Sequence, residues 1–244
     1  MKRVYADLHL CPNLNDLKKV ASMISKASKL GYSLIAITFP LNAKEEEIDK
    51  IRNISSEYKM DIASRIDLKP RTPKELIYNL RKLRRKFEII AVICESKTVA
   101  RQAAKDRRVD LLNFPSPNPH QRFFDAAEAE LASKALASFE IDMKPLLTLE
   151  GPARIRLLSS LRKETAIAQK FHVPIVISSG ASDEFLMRKP MDMASLASLF
   201  DLDEASATMA VSKNPTQIVK RNRENLSPTF VAPGIKIIRK GKDC

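Results

Sequence analysis

The chain has 244 residues and a formal net charge of +13, with 42 Lys and Arg against 29 Asp and Glu. Its five glycines form neither a GxGxxG nor a GxxxxGKS/T pattern, which disfavours nucleotide folds that hold phosphate on a glycine-rich turn. Three cysteines without a CxxC pair disfavour disulfides and a structural zinc site. Asp7 comes too early for a signal peptide, and no apolar run approaches roughly 20 residues, so we expect a cytoplasmic protein without a membrane span.

Short apolar runs alternate with amphipathic stretches, a pattern typical of a parallel α/β fold. The predicted strands are residues 3–8, 33–39, 60–66, 87–94, 109–114, 137–141 and 174–178, with a last short strand at 235–238. The predicted helices are residues 16–30, 44–59, 97–106, 152–171, 191–200, 203–213 and 215–223. One further helix is expected after Thr72, which can cap it, with Pro73 at its first position.

Strand starts recur about every 22–36 residues, the length of a βα unit. Seven such units favour a closed or nearly closed TIM-like (β/α) barrel of about seven to eight parallel strands, with extra C-terminal helices. An open doubly wound sheet is the alternative. We expect one domain over residues 1–238, followed by a basic tail at 239–244.

In such a barrel, functional side chains collect at the carboxyl ends of the strands. Polar residues that follow predicted strands are Asp7, His9, Cys11, Glu95, His120, Asp142 and Asp183. They are either the relic of a metal site or ordinary polar groups of loops, with Asp7 hydrogen-bonded inside the barrel. Because the chain has only three histidines, too few ligands are present for a multinuclear phosphoesterase. The third, His172, precedes the seventh strand and is expected on the opposite rim.

Cations are clustered as well as abundant. Residues 81–86 contain five cations in six positions, and Arg101, Lys105, Arg107 and Arg108 follow around the next predicted helix. This pattern indicates either a solvated surface or phosphate contacts that read the shape of an RNA and not its bases. Phe123 and Phe124 are candidates for stacking on unpaired bases or for the core.

Several segments resemble one family. They are residues 5–9 (YADLH), 107–115 (RRVDLLNFP), 174–181 (PIVISSGA) and, most specifically, 188–215. These segments resemble the protein component 3 family of archaeal ribonuclease P, whose eukaryotic counterpart is the thirty-kilodalton subunit. The resemblance covers most of residues 3–240.

The resemblance implies a barrel related to the polymerase-and-histidinol-phosphatase (PHP) family. It implies that a small ferredoxin-like subunit is a partner, and that the pair sits on the catalytic domain of the ribonuclease P RNA. The RNA removes the 5′ leader of precursor tRNA. The chain itself then needs no cofactor, since the Mg²⁺ belongs to the RNA.

PHP enzymes carry Asp-Leu-His-x-His on the first strand and Ser-Asp-x-His late in the chain. Here Cys11 stands at the second histidine of the first motif and Phe185 at the histidine of the second. The resemblance therefore implies a degenerate metal site at Asp7, His9 and Asp183. The rival hypothesis is a PHP-type phosphoesterase using Asp7, His9, Glu95, Asp142 and Asp183. A protein-binding scaffold is a third.

The favoured hypothesis is a non-catalytic RNA-binding subunit of ribonuclease P. The predicted RNA contacts are Arg101, Arg107, Arg108, His120, Arg122, Lys134, Arg188 and Lys213. Arg188 has the alternative of pairing with Asp183 or Asp192. Exposed apolar side chains at Met187, Met191 and Met193 are expected to mark the protein-partner surface, and Cys11 is expected to be a small buried residue.

Overall fold

A computed structural model of the protein describes residues 3–232 and 235–236. Its main sheet contains β1 (Ala6–Leu10), β2 (Leu34–Phe39), β3 (Asp61–Leu68), β4 (Ile89–Ile93), β5 (Leu111–Asn113), β6 (Ser138–Asp142) and β7 (Ile175–Ser178). Two further strands, β8 (Phe230–Ala232) and β9 (Ile235–Lys236), form a separate antiparallel pair. The predicted tail at 239–244, and the last two positions of the strand predicted at 235–238, lie outside the described residues.

The seven strands are parallel and each pairs with its neighbour in chain order. The ends of the sheet meet where Leu10 bridges Ala181 and the Cys11 N–H donates to the Ala181 carbonyl over 2.8 Å. The predicted nearly closed barrel is therefore confirmed with seven strands, and the alternative of an open doubly wound sheet is wrong.

At the end where the strands begin, the described parts of β1 and β7 form no ladder of backbone hydrogen bonds with each other. Residues that follow β7 in the chain contact both strands there instead: the Ala6 N–H donates to the Val211 carbonyl over 3.0 Å, and Asn214 Nδ2 donates to the Ile175 carbonyl over 2.8 Å. These contacts satisfy backbone groups that an eighth strand would otherwise pair.

The helices are α1 (Leu17–Leu30), α2 (Glu45–Ser56), α3 (Pro73–Leu83), α4 (Lys97–Lys105), α5 (Ala126–Ala135), α6 (Lys144–Thr148), α7 (Gly151–Lys170), α8 (Pro190–Leu196), α9 (Glu204–Ala210) and α10 (Lys213–Leu226). Thr72 and Ser96 cap α3 and α4 with their hydroxyl oxygens, because each accepts from the backbone N–H three residues on. Neither α5 nor α6 is among the predicted helices. Among the described residues, no helix has the length and apolarity to cross a membrane.

The inside of the barrel is apolar at the end where the strands begin. Its side chains are Ala6, Leu8, Leu34, Ala36, Ala63, Ile89, Ala91, Leu111 and Val176, and Ile218 and Val219 of α10 pack against them from below. Because side chains alternate along a strand, Arg65 and Asp67 share the inward face of β3 with Ala63. The inward positions thus change from apolar to charged toward the carboxyl ends of the strands. We call this end of the barrel the barrel mouth.

A bulge in β1 contributes to this change. Asp7 pairs with Ile35 and Leu10 with Ile37, so β1 has one residue more than β2 over the same interval. The irregularity allows His9 to reach the charged side chains of the mouth.

Candidate functional site

The mouth is built around a fully buried arginine, Arg65 of β3. Its Nη1 and Nη2 donate to the two carboxylate oxygens of Glu140 over 2.5 and 2.7 Å. Its Nε donates to Asp67 over 2.7 Å, and Nη1 also donates to the Leu8 carbonyl over 2.7 Å. A guanidinium that is buried to this degree is held in place by fixed anions on two sides.

Glu140 of β6 accepts further hydrogen bonds beside Arg65. Asn113 Nδ2 donates to Glu140 over 2.9 Å and to Asp142 over 2.8 Å, while Ser178 Oγ donates to Glu140 over 2.8 Å. The cluster therefore joins three strands: β5 contributes Asn113, β6 contributes Glu140 and Asp142, and β7 contributes Ser178. Every polar group here has a partner, which is what makes its burial tolerable.

His9 lies between two carboxylates. Its Nδ1 is 2.7 Å from Asp142 Oδ1 and its Nε2 is 3.0 Å from Asp67 Oδ2. Burial and the Arg65 cation lower the pKa of His9, but the two carboxylates outweigh them and raise it well above its usual value. Burial raises the pKa of Asp67 and of Asp142, yet Arg65 and His9 bring both below the ordinary value. His9 is therefore a second cation of the mouth at neutral pH.

Asp7 is also fully buried, as expected from the sequence. Its Oδ1 accepts from the backbone N–H of His9 over 3.1 Å and from that of Ser179 over 3.0 Å, which ties β1 to the end of β7. Its Oδ2 has no hydrogen-bond partner within the described residues. Burial raises the pKa of Asp7 despite the hydrogen bonds from Ser179.

The donor atoms of the mouth do not fit a PHP-type metal centre. In the part of the chain that the structure describes, two triads have ligand atoms within 4.8 Å of one another, namely His9, Cys11 and Asp67, and His9, Glu140 and Asp142. However, Asp67 and Glu140 already bind the Arg65 guanidinium, and Asp142 binds His9. A metal ion at either triad would lie beside a fixed positive charge, and it would compete with it for the same oxygens.

Two other predicted members of a metal site lie outside the cluster. Glu95 is exposed, and Asp183 is exposed and accepts from the Phe185 N–H over 2.9 Å as the cap of a short 3₁₀ turn. Cys11 is half-buried, with its Sγ 3.7 Å from Thr38 Oγ1. Of the predicted relic, the structure brings together Asp7 and His9 and leaves Asp183 aside.

The predicted RNA contacts divide into two groups. Arg101, Arg108, Arg122 and Arg188 are held by the protein itself. Arg122 is the clearest case: Nη2 and Nε donate to Glu164 over 2.5 and 2.7 Å, Nη1 binds the Phe114 and Ser116 carbonyls, and the side chain is 5% exposed.

The other three held arginines are less deeply buried. Arg101 binds both oxygens of Asp125, and Arg108 those of Asp106. Arg188 donates to the carbonyls of Phe185 and Met187; its expected alternative, a salt bridge to Asp183 or Asp192, is not formed within the described part of the chain.

The remaining predicted contacts are exposed. They are Arg107, His120, Lys134 and Lys213. Lys134 has an exposed partner one helical turn away, since its Nζ is 2.6 Å from Glu130. These four side chains come from different parts of the barrel surface, so the prediction does not describe one continuous patch.

The predicted apolar partner surface is largely wrong. Met187 and Met193 are 3% and 1% exposed and belong to the core, and only Met191 is exposed. Tyr32, itself buried, places its hydroxyl 3.6 Å from the Met193 sulfur. Phe124 is also a core residue, stacked on Phe139 with ring centres 4.4 Å apart. His172 is exposed and lies before β7, on the rim opposite the mouth, as expected.

Arg65 and Glu140 are the main residues that the sequence analysis missed. The sequence does carry a signal for them. Glu140 is the one charged residue of the predicted strand 137–141, and Arg65 lies among apolar and small residues in the predicted strand 60–66. The two charges are opposite, so a barrel with both side chains inside requires each to find a partner of opposite charge.

Comparisons with known proteins agree with this fold. A profile of the family described as RNase P subunit p30 matches residues 4–226. A protein named ribonuclease P protein component 3 from Methanosarcina barkeri is 32% identical over 91% of this chain and 90% of that one. The same-named protein from Methanocaldococcus jannaschii is 27% identical over 82% of this chain and 85% of its own length.

Among solved structures, a chain from a cryo-EM structure of archaeal ribonuclease P with mature tRNA superposes with a TM-score of 0.82. It is 23% identical and covers 96% of this chain and 99% of that one. A putative prolidase from Bifidobacterium longum superposes with a TM-score of 0.54 at 10% identity over 91% of this chain and 70% of its own, which shows a shared barrel architecture.

Proposed function

Because the chain belongs to the RNase P subunit p30 family and is a protein subunit in tRNA 5′ processing, we propose that it acts there as a non-catalytic, RNA-binding component. Its role is to bind the ribonuclease P RNA and support the removal of the 5′ leader, which the RNA catalyses. Precursor tRNA is contacted indirectly, and a small ferredoxin-like subunit is the protein partner.

The observation that carries the non-catalytic role is the occupation of the mouth by Arg65. Metal-dependent phosphoesterases need carboxylates and imidazoles that are free to ligate an ion. Here Glu140, Asp67 and Asp142 are bound to Arg65 and His9 instead. We therefore assign the Mg²⁺ needed for cleavage to the RNA, and we assign no metal ion to the chain itself.

The RNA-binding role is supported by the excess of cations over anions, +13 over the chain. Lys and Arg side chains that neutralise phosphates release counterions, so they strengthen binding and lower the Mg²⁺ that a compact RNA fold requires. Of the predicted contacts, Arg107, His120, Lys134 and Lys213 are accessible to such a partner. An RNA phosphate could bind the guanidinium groups of the other four only alongside the carboxylates and carbonyls that already accept from them. These four are Arg101, Arg108, Arg122 and Arg188.

Reconstitution tests this proposal. The chain is added to a ribonuclease P RNA together with the other protein subunits, and precursor-tRNA cleavage is measured at limiting Mg²⁺. We expect the chain to raise the cleavage rate and to lower the Mg²⁺ concentration at half-maximal activity. Unchanged cleavage contradicts the subunit's role in RNA binding.

A parallel assay addresses catalysis by the protein. The isolated chain is incubated with bis-p-nitrophenyl phosphate and with Mn²⁺, Zn²⁺ or Mg²⁺, and we expect no turnover with any of them. Metal-dependent hydrolysis that disappears in His9→Gln would favour the phosphoesterase instead.

A further inference from the structure

The helices of a (β/α) barrel run antiparallel to the strands, so their carboxyl ends lie at the end of the barrel opposite the mouth. At the ends of two neighbouring helices, α3 and α4, six cationic side chains are exposed. They are Arg81, Lys82, Arg85, Lys86, Lys105 and Arg107, and together we call them the helix-end surface.

The carboxylates near the helix-end surface are already engaged. Asp110 is 1% exposed and binds both Arg84 Nη1 over 2.5 Å and Arg221 Nη2 over 2.8 Å. Asp106 forms a bidentate salt bridge with Arg108, with distances of 2.7 and 2.9 Å. Burial raises the pKa of Asp106, but the hydrogen bonds from Arg108 outweigh burial and lower it. Within the described residues, none of the six surface cations has a salt bridge.

Further hydrogen bonds link the ends of the neighbouring helices. Arg84 Nη1 also donates to the Arg108 carbonyl over 3.3 Å, so the end of α3 is tied directly to the turn after α4. Arg221 of α10 donates to the Leu136 carbonyl over 3.2 Å as well as to Asp110. The segments that carry the exposed cations are therefore tied to one another and to α10.

Helix dipoles favour one cation at each helix end, but they do not account for six on adjoining ends. Like charges at this spacing repel one another, and none of the six forms a salt bridge within the described residues that would offset that repulsion. A polyanion would. Tyr78 adds a feature suited to a nucleic acid: it is 65% exposed and lies three and four positions before Arg81 and Lys82, on the same face of α3.

We propose that the helix-end surface binds the phosphate backbone of the partner RNA, at the end of the barrel away from the mouth. This inference rests on the proposed function and locates it. The internally paired arginines Arg84, Arg108 and Arg221 position the surface, while Arg81, Lys82, Arg85, Lys86, Lys105 and Arg107 contact phosphates.

The test compares two variants that lose equal charge. The first carries Arg81→Gln, Lys82→Gln, Arg85→Gln and Lys86→Gln. The matched control carries Lys18→Gln, Lys69→Gln, Lys74→Gln and Lys189→Gln, four exposed lysines near the mouth end. Affinity for ribonuclease P RNA is measured against salt concentration, with the melting temperature of each variant as the check on folding.

We expect the first variant to bind at least tenfold more weakly near 150 mM salt. The slope of log affinity against log salt should become shallower by roughly three to four, since four phosphate contacts are removed and each contributes about 0.9. The control should retain the wild-type slope to within one contact. Equal losses in the two variants, or a larger loss in the control, overturn the proposal.

Three further outcomes are informative. If the wild-type chain binds RNA without any salt dependence, the proposed function fails and this surface fails with it; binding that persists with its full slope in the first variant overturns the surface alone. If polyglutamate competes as well as RNA of equal charge, the partner is an acidic polypeptide and the assignment to RNA is wrong. Should the four-residue variant not fold, Arg85→Gln with Lys86→Gln, both beyond the end of α3, tests the same prediction at half the size.

Discussion

Arginine has different surroundings in the mouth of the barrel and on the helix-end surface. In the mouth, Arg65 is enclosed by Glu140 and Asp67 and makes no contact with solvent. On the helix-end surface, Arg81 and Arg107 point into solvent with no salt bridge to the described residues. In a basic protein, the cations that are paired with its own carboxylates therefore have to be separated from the unpaired ones before any are assigned to RNA binding.

The largest expected effect comes from removing the cation of the mouth. Arg65→Met leaves Glu140 and Asp67 buried without compensation, and we expect it to lower the free energy of unfolding by about 3–5 kcal/mol. Urea denaturation measures this. Adding Glu140→Leu to Arg65→Met should recover part of the loss, and Arg81→Met serves as the exposed control. A loss below about 1 kcal/mol in Arg65→Met would contradict the account of the mouth.

Arg122 tests whether a predicted RNA contact belongs to the protein interior. Arg122→Met breaks its pair with Glu164 and its bonds to two carbonyls, and it should destabilise the fold by about 2–3 kcal/mol. Its effect on the salt slope of RNA binding should be absent. Lys134→Met, on an exposed helix face, should leave the melting temperature unchanged. A reduced slope with normal stability would return Arg122 to the RNA contacts.

His9 makes the stability of the mouth depend on pH. Its pKa in the folded protein is well above the usual 6.5, so its stabilising contribution is complete below pH 6.5 and is lost as the pH rises through the folded value. His9→Gln loses the hydrogen bonds of His9 to Asp142 and Asp67, so we expect it to cost about 2 kcal/mol at pH 6 and progressively less in alkaline solution. A constant difference across a pH series of denaturation curves would show that His9 is neutral in the fold.

Removing the charge of Glu128 in α5 should stabilise the fold, in contrast to the three substitutions above. Glu128 is buried beside Arg101, which does not hydrogen-bond to it. Both of its carboxylate oxygens lack a hydrogen bond, although Arg101 Nε lies 3.0 Å from Oε2. Burial raises the pKa of Glu128 from 4.5 to about 8, so the fold loses stability as the pH rises across that interval. Glu128→Gln should match the wild type near pH 5 and become progressively more stable than it as the pH rises to 8. Glu130→Gln, on the exposed face, is the control.

The pattern of apolar runs was sufficient to predict the barrel, because seven buried strands alternate with helices and Thr72 and Ser96 mark helix starts. The sequence did not predict α5, since its alanine-rich stretch has little contrast between its two faces. Met187 and Met193 were misassigned because nothing local shows that the segment folds back against Tyr32.

The ion network of the mouth depends on closure of the sheet. Arg65 and Glu140 are 75 positions apart, and His9 and Asp142 are 133 apart. Local patterns contain no information about such pairs, and the bulge that lets His9 join them is equally invisible from composition. Charged residues within apolar strands show that some buried pairing is required, but other predicted strands also contain charges, such as Asp7, Glu88 and Asp110. The pairing of Arg65 with Glu140 is therefore visible only in the closed barrel.

The seam between β1 and β7 affects the order in which the chain folds during its synthesis. Val211 and Asn214 leave the ribosome after all seven strands, yet they cover that seam at the end where the strands begin. A nascent chain that has not yet reached Asn214 therefore exposes unpaired backbone groups on both flanking strands, and such edges invite association with other chains. Completion of the barrel during synthesis awaits the arrival of α10.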